Sequence, residues 1–411
     1  MTWQRVKLGE IASNIQTGPF GSQLHQSDYS ESGTPVVMPK DLAEGKISEA
    51  TIARVSANHV DRLSRHKIEP GDILYSRRGD VGRCAYAGLR ESGWLCGTGC
   101  LRVTINTLLA NPKFMFYQLQ TVSSIGWVEK HAIGATMLNL NTSILAEIPL
   151  LLPPLPVQRR IADILSAYDD LIENNRKQIK LLEEAAQRLY KEWFIDLRFP
   201  GHEHTPIING IPEGWEADLL GNLIDFNPTV SQTNALLKQF IPMEAISTSS
   251  MLIDYKNTST TDKNSGSKFE VGDTLLARIT PCLENGKTAF VSKISHGEYG
   301  VGSTEFIVMR SKKLNPYMVY LIARTERFRT YAINSMTGSD GRQRAKVDKL
   351  ELYPILRPSQ KIIDLFSQNA EPIFSEVGAL SEKIFSLQEA RDRLLPKLMN
   401  GEIEPLVKNC R

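Results

Sequence analysis

The chain repeats itself, and an internal repeat constrains architecture more than any single motif does. Trp3 followed by Leu8-Gly9-Glu10-Ile11 returns as Trp215 followed by Leu220-Gly221-Asn222-Leu223. Pro70-Gly71-Asp72-Ile73-Leu74 returns as Val271-Gly272-Asp273-Thr274-Leu275, and Gly82-Arg83-Cys84-Ala85-Tyr86 as Gly286-Lys287-Thr288-Ala289-Phe290. Asn111-Pro112 and Asn315-Pro316 each open a helical stretch. Ile148-Pro149 precedes Pro156-Val157-Gln158 as Tyr353-Pro354 precedes Pro358-Ser359-Gln360. The offsets are 212, 201, 204, 204 and 202 to 205, so order and spacing both persist. One Gly-Asp match would be chance; five in order mean that two halves share one plan.

Each half reads as a mixed α and β segment followed by one long helix. Short apolar runs (DILYS, CAYAG, TLLARI, TAFVSK) lie between Gly, Asp and Asn turn signals, as strands do. After the prolines at 153–156, apolar residues recur at helical spacing: Ile161, Leu165, Tyr168, Ile172, Ile179, Leu182, Ala186, Leu189 and Trp193. Near the C-terminus, Ile363, Ala370, Val377, Ile384 and Leu398 share one heptad position, with Arg391 the exception. Phe366, Ile373, Leu380, Leu387 and Leu394 fall three residues on, completing a coiled-coil seam. A seam of about 30 residues is about 45 Å long. Each helix needs a partner, and the other helix is the obvious one. Their charges balance, with 8 basic and 8 acidic groups over 151–200 and 7 and 8 over 360–411. Asp169-Asp170 and Glu183-Glu184 are therefore expected on the solvated face.

With 411 residues, 41% hydrophobic and 23% charged, the chain has material for two or three globular domains, which excludes a disordered or collagenous protein. A net charge of +2 announces no partner, so any nucleic-acid surface must be a local patch. Cys84, Cys96, Cys100, Cys282 and Cys410 form no CxxC pair, and no matching pair completes a zinc site. An odd cysteine count, no export-signal core and no long apolar run predict a cytoplasmic protein that does not enter a membrane. His202 and His204 flank a linker-like stretch, where an exposed linker outweighs an adventitious metal site. No phosphate loop, dinucleotide fingerprint, HExxH or GxSxG occurs, so catalytic residues and a metal site are both expected to be absent.

A binder built from two similar modules suits a bipartite ligand, of which a duplex with two half-sites is the common example. Basic side chains then single themselves out: Arg77, Arg78 and Arg83 around a Gly-Asp turn, Arg278 and Lys287 in the matching region, and Arg342, Arg344 and Lys346 in a polar loop. Arginine reads guanine bidentately, and lysine or backbone amides hold phosphate. The alternative for each arginine is pairing with a nearby acid: Asp72, Asp80, Asp273 or Asp340. The segment TGPFGSQLHQSDY (17–29), with Ser22 and Gln23, is either a groove-touching loop or a compact surface loop. A two-module repressor would need a helix-turn-helix, of which no convincing example is present. A coiled-coil scaffold that never meets DNA is the other rival.

Several segments together resemble one family, the specificity subunits of type I restriction-modification systems. They are TGPFGSQLHQSDY, PGDILYSRRGDVG, LLPPLPVQRRIADIL, KEWFIDLRFPG, IPEGWE and the terminal LLPKLMNGEIEP. The resemblance implies an α+β fold with two pseudo-repeated target-recognition domains joined by two long helices packed as an antiparallel coiled coil. On that pattern residues 1–155 form the first domain, 156–200 the first helical spacer, 201–358 the second domain (with a linker at 201–214) and 359–411 the second spacer. Each domain would read one half of an asymmetric double-stranded DNA target. The subunit itself would have no catalytic site and no cofactor. Two modification subunits would use S-adenosylmethionine to methylate adenine N6, and two restriction subunits would use ATP and Mg to translocate and cut. Lys287 at the place of Arg83 then implies that the two domains read different sequences.

Overall fold

In the first half a four-stranded sheet runs in the order β1-β4-β2-β3, where β1 is Ala12–Thr17, β2 Ile73–Ser76, β3 Cys84–Tyr86 and β4 Cys100–Ile105. In the second half the order is β5-β8-β6-β7, with β5 Ile224–Phe226, β6 Thr274–Ala277, β7 Thr288–Phe290 and β8 Phe306–Ser311. Both sheets are antiparallel throughout. Each half also carries a second four-stranded sheet with one parallel pair: Leu95–Cys96 beside Thr34–Val37, and Gly300–Gly302 beside Lys238–Ile241. A two-stranded ribbon closes each half, Gln4–Lys7 with Pro149–Leu152 and Glu216–Leu219 with Pro354–Arg357. The computed structural model describes residues 3–134, 138–230, 237–338 and 342–406.

The repeated motifs have local physical reasons. The Gly-Asp pair makes a tight turn before β2 and again before β6. Gly71 and Gly272 adopt φ of 98° and 92°, which favours glycine, and the carboxylates of Asp72 and Asp273 accept the backbone N–H of Glu69 (2.8 Å) and Glu270 (2.7 Å). The Asn-Pro pair starts a helix: Asn111 accepts from the Phe114 N–H (2.9 Å) and Asn315 from the Met318 N–H (3.0 Å), with proline at the position where no N–H is needed.

The long helices are α1, Leu155–Tyr190, and α2, Gln360–Met399. The chain divides into two units, Met1–Leu171 with Ser386–Arg411, and Ile172–Phe385, so each unit holds a segment of both helices. In the first unit the Asp169 carboxylate accepts from Arg391 (2.6 Å) and from the Tyr117 hydroxyl (2.5 Å), while Ile161 and Leu165 share a core with Leu398 and Met399. In the second unit Tyr190, Trp193 and Phe194 surround Phe366, with ring centroids 4.9–6.3 Å apart. Partner numbers fall along α2 as they rise along α1, which is the antiparallel sense. After Tyr190 the helix widens into a π turn, Lys191–Ile195, and Phe194 and Phe199 then stack against Trp215. The aromatics of KEWFIDLRFPG and the tryptophan of IPEGWE thus form one cluster.

Along the seam, Ile161, Leu165, Ile172, Ile179, Ile363, Phe366, Val377, Leu380 and Ile384 are buried. Tyr168, Leu182, Leu189, Ile373, Leu387 and Leu394 are half-buried. Two expectations are corrected. Glu183 is not solvent-facing: it is 5% exposed and its Oε1 accepts from the Ser250 hydroxyl (2.6 Å) and the Met251 N–H (2.7 Å). Asp169 is likewise committed, to Arg391 and Tyr117, and so Arg391 interrupts the apolar heptad because it answers a carboxylate. The helix surface is also wider than the seam. Phe374, one residue off it, is buried against Phe290, Tyr317 and Tyr320.

Candidate nucleic-acid interface

In the first half, four segments converge where β2 ends and β4 begins. The Arg77 N–H donates to Gly99 O (2.8 Å), the Gly18 N–H to Cys100 O (2.9 Å), and the Leu140 N–H to Arg77 O (2.8 Å). Segments 18–24, 77–83, 97–99 and 138–140 therefore share one end of the module. Gly18 is required there, because a Cβ would stand 1.9 Å from Gly97 O. The Arg77 guanidinium lies 5.9 Å from the centroid of Phe20, an exposed aromatic (53%) between Pro19 and Gly21. Arg77 Nε and Asn139 Oδ1 are buried and have no hydrogen-bond partner among the described residues. Arg78 is exposed, and Arg83 forms an exposed pair with Asp80 (2.7 Å). Ser22 is exposed, while Gln23 is half-buried and closes its own loop by accepting the Phe20 N–H (3.1 Å).

The second half repeats this geometry. The Arg278 N–H donates to Glu305 O (2.9 Å) and the Ala345 N–H to Arg278 O (2.8 Å), and the Arg278 Nε is again buried, without a partner among the described residues. Short bridges join Ile133 with Asn139 and Thr337 with Arg344. Arg77 thus corresponds to Arg278, Gly99 to Glu305, and Asn139 to Arg344. The Ser76 N–H donates to Arg83 O (2.9 Å) as the Ala277 N–H donates to Lys287 O (3.0 Å), so Arg83 and Lys287 also correspond. Lys287 Nζ donates to Met243 O (2.8 Å). Arg344 forks onto Glu305, its Nη2 2.7 Å from Oε1 and its Nε 2.9 Å from Oε2. That pair holds the Glu305 carboxyl below its ordinary value and raises the Arg344 guanidinium. Arg342 and Lys346 are exposed. Asp340, raised as an acid partner, lies outside the described residues.

Of the anticipated acid partners, Asp80 engages Arg83, whereas Asp72 and Asp273 are buried and serve Arg102 and Arg310. Neither arginine had been singled out. Phe20, Gly99, Asn139 and Glu305 had not been either. Only Phe20 leaves a local signal, as an aromatic in a glycine-rich loop; Glu305 lies 39 residues from Arg344. Burial pushes the thiols of Cys84 and Cys96 up to about 12. Cys410 lies outside the described residues. Among those residues no helix is long and apolar enough to cross a membrane.

The two halves are related modules, each bringing an arginine-bearing loop cluster to the same end of an equivalent sheet. Residues 1–184 match the family model described as the type I restriction modification DNA specificity domain. The MjaIX type I restriction enzyme specificity subunit of Methanocaldococcus jannaschii is 26% identical, over 96% of this chain and 91% of that protein. The HindI specificity subunit of Haemophilus influenzae is 22% identical over 98% and 99%. The fold resembles the crystal structure of the type I S subunit from M. genitalium, with a TM-score of 0.58, 15% identity and coverage of 97% and 96%. Over nearly its whole length the chain is thus similar to type I restriction-modification specificity subunits, and its residues 1–184 carry the match to the DNA specificity domain.

Proposed function

We propose that each loop cluster reads one half of a bipartite double-stranded DNA target, and that α1 and α2 set the distance between the halves. The domains would be 1–155 and 201–358, with 156–200 and 359–411 as helical spacers. The observation that supports this most directly is the duplicated cluster, in which Arg77 and Arg278 occupy equivalent places on equivalent sheets while their neighbours differ. An equal backbone frame supports equal placement of a groove; different side chains support different bases. The chain would act without catalysis in the cytoplasm, binding neither cofactor nor metal. It would dock two modification subunits that methylate adenine N6 from S-adenosylmethionine, and two restriction subunits that use ATP and Mg.

The test is a methylome. Co-expression with the modification subunit of the same system in a methylation-free host should mark N6-methyladenine in two fixed half-sites across a fixed gap. Inserting four residues at matching levels of α1 and α2 should widen that gap by about 6 Å, nearly two base pairs. A complex that forms but leaves no bipartite mark would sink the reading, and an unchanged gap would sink the ruler.

A further inference from the structure

The two clusters differ most where Gly99 and Asn139 in the first correspond to Glu305 and Arg344 in the second. We propose that Glu305 is a positioning residue for Arg344, and that the pair forms one guanine-reading unit present only in the second domain. The inference rests on the DNA-reading role proposed above.

The geometry carries it in three ways. Glu305 grips the guanidinium along its Nε–Nη2 side, with contacts of 2.9, 3.0 and 2.7 Å. A side-on fork leaves the end-on edge, one hydrogen each from Nη1 and Nη2, for a second planar acceptor such as guanine O6 and N7. Among the described residues no hydrogen bond from Arg344 Nη1 occurs, and the Arg344 side chain is 44% exposed.

Both backbones are also fixed before any ligand arrives. Glu305 O accepts the Arg278 N–H (2.9 Å), and the Glu305 N–H donates to Ser303 Oγ (3.2 Å). Arg344 exchanges two backbone hydrogen bonds with Thr337 (3.0 and 3.1 Å), and its neighbour Ala345 donates to Arg278 O. Holding the guanidinium in place beforehand removes rotamer freedom that binding would otherwise have to freeze.

The first domain has no room for such a unit. A Cβ on Gly99 would meet the Pro39 ring at 2.7 Å, so a carboxylate side chain does not fit there without moving that ring. Asn139 occupies the corresponding position instead, its Oδ1 buried and without a hydrogen-bond partner among the described residues. A buttressed arginine suits guanine, and the first domain offers none at this position.

The experiment uses the full chain with its modification subunit and reads methylation at targets substituted one base at a time. Arg344→Ala should relax one position of one half-site by about tenfold or more, which also identifies the half-site read by the second domain. Glu305→Gln should relax the same position and leave the other half-site and the thermal midpoint unchanged. The double variant should be no worse than Arg344→Ala alone, because the two residues act together. Glu305→Asp, which keeps the charge, should restore part of the discrimination. The inference is overturned if Glu305→Gln keeps full discrimination, relaxes the other half-site, or strengthens binding to all sequences by releasing a masked arginine. A fall in thermal midpoint without relaxation also overturns it, making the pair structural. A wild-type complex with no bipartite mark defeats the DNA-reading role itself, an outcome distinct from all of these.

Discussion

The Gly-Asp turn is built identically in the two halves, yet its carboxylate finds different company. Asp72 accepts from Thr104 Oγ1 (2.5 Å) and lies 3.5 Å from the nearly buried Arg102. Asp273 is held by a fork from Arg310 (2.6 and 2.7 Å), which also reaches Glu270 at 2.9 Å. The backbone contact that shapes the turn has stayed the same, while the side-chain partners have diverged. The same division recurs at the loop clusters, where main-chain bonds at Arg77 and Arg278 match and Asn139 and Arg344 do not. A duplicated frame can therefore present two different surfaces.

The largest expected effect breaks that comparison at its base. Asp72→Ala strands Arg102 without an acid among the described residues, and should lower the unfolding free energy by about 3–5 kcal/mol. Asp273→Ala leaves Arg310 with Glu270 and a more exposed side chain, and should cost about 1–3 kcal/mol. Chemical denaturation compares the two, and equal losses would mean that the partners are interchangeable.

Gly18→Ala comes next. The added methyl displaces the 18–24 loop from Gly97, costing about 1–3 kcal/mol and relaxing only the half-site read by the first domain. Relaxation of both half-sites would show that the modules do not read independently.

Arg83 and Lys287 sharpen the contrast further. The Arg83–Asp80 pair is exposed, so Arg83→Ala should change stability by less than about 1 kcal/mol. Lys287→Met removes a part-buried donor to Met243 O and should cost about 1–2 kcal/mol. Thermal denaturation of the two variants side by side checks the order.

The smallest effect is a slope. Burial pushes the Glu183 carboxyl above its ordinary value of 4.5, outweighing the hydrogen bonds from Ser250 and Met251. The folded state then holds that proton more tightly than the unfolded chain, so stability from this group is present at low pH and declines as pH rises above about 4.5. Glu183→Gln keeps an acceptor for both donors and should remove the decline. A pH series of denaturation midpoints that does not change between wild type and variant would refute the assignment.

Much of the frame was legible because it depends on near neighbours. The turn needs Gly71 and Asp72 to be adjacent, the helix start needs Asn111 three residues before Phe114, and heptads needed only their own period. The seam was incomplete for the opposite reason. Phe374 and Glu183 lie off it and are buried by side chains from Phe290, Tyr320 and Ser250, which are distant in sequence. A charge pair such as Glu183-Glu184 reads as solvated until the chain that covers one of its members is known.

The candidate site divides in the same way. The sequence by itself determined that there are two modules on one plan, that each ends in a long helix, and that Arg77 and Arg278 sit at matching turns. Those facts follow from periodicity and order, which need no knowledge of distant contacts. Only the tertiary structure decided that Asn139 answers to Arg344, that Gly99 answers to Glu305, and that Asp72 serves Arg102 while Glu305 holds Arg344. Such pairings join segments tens of residues apart, and a charge declares its partner only when folding has brought both within hydrogen-bond reach.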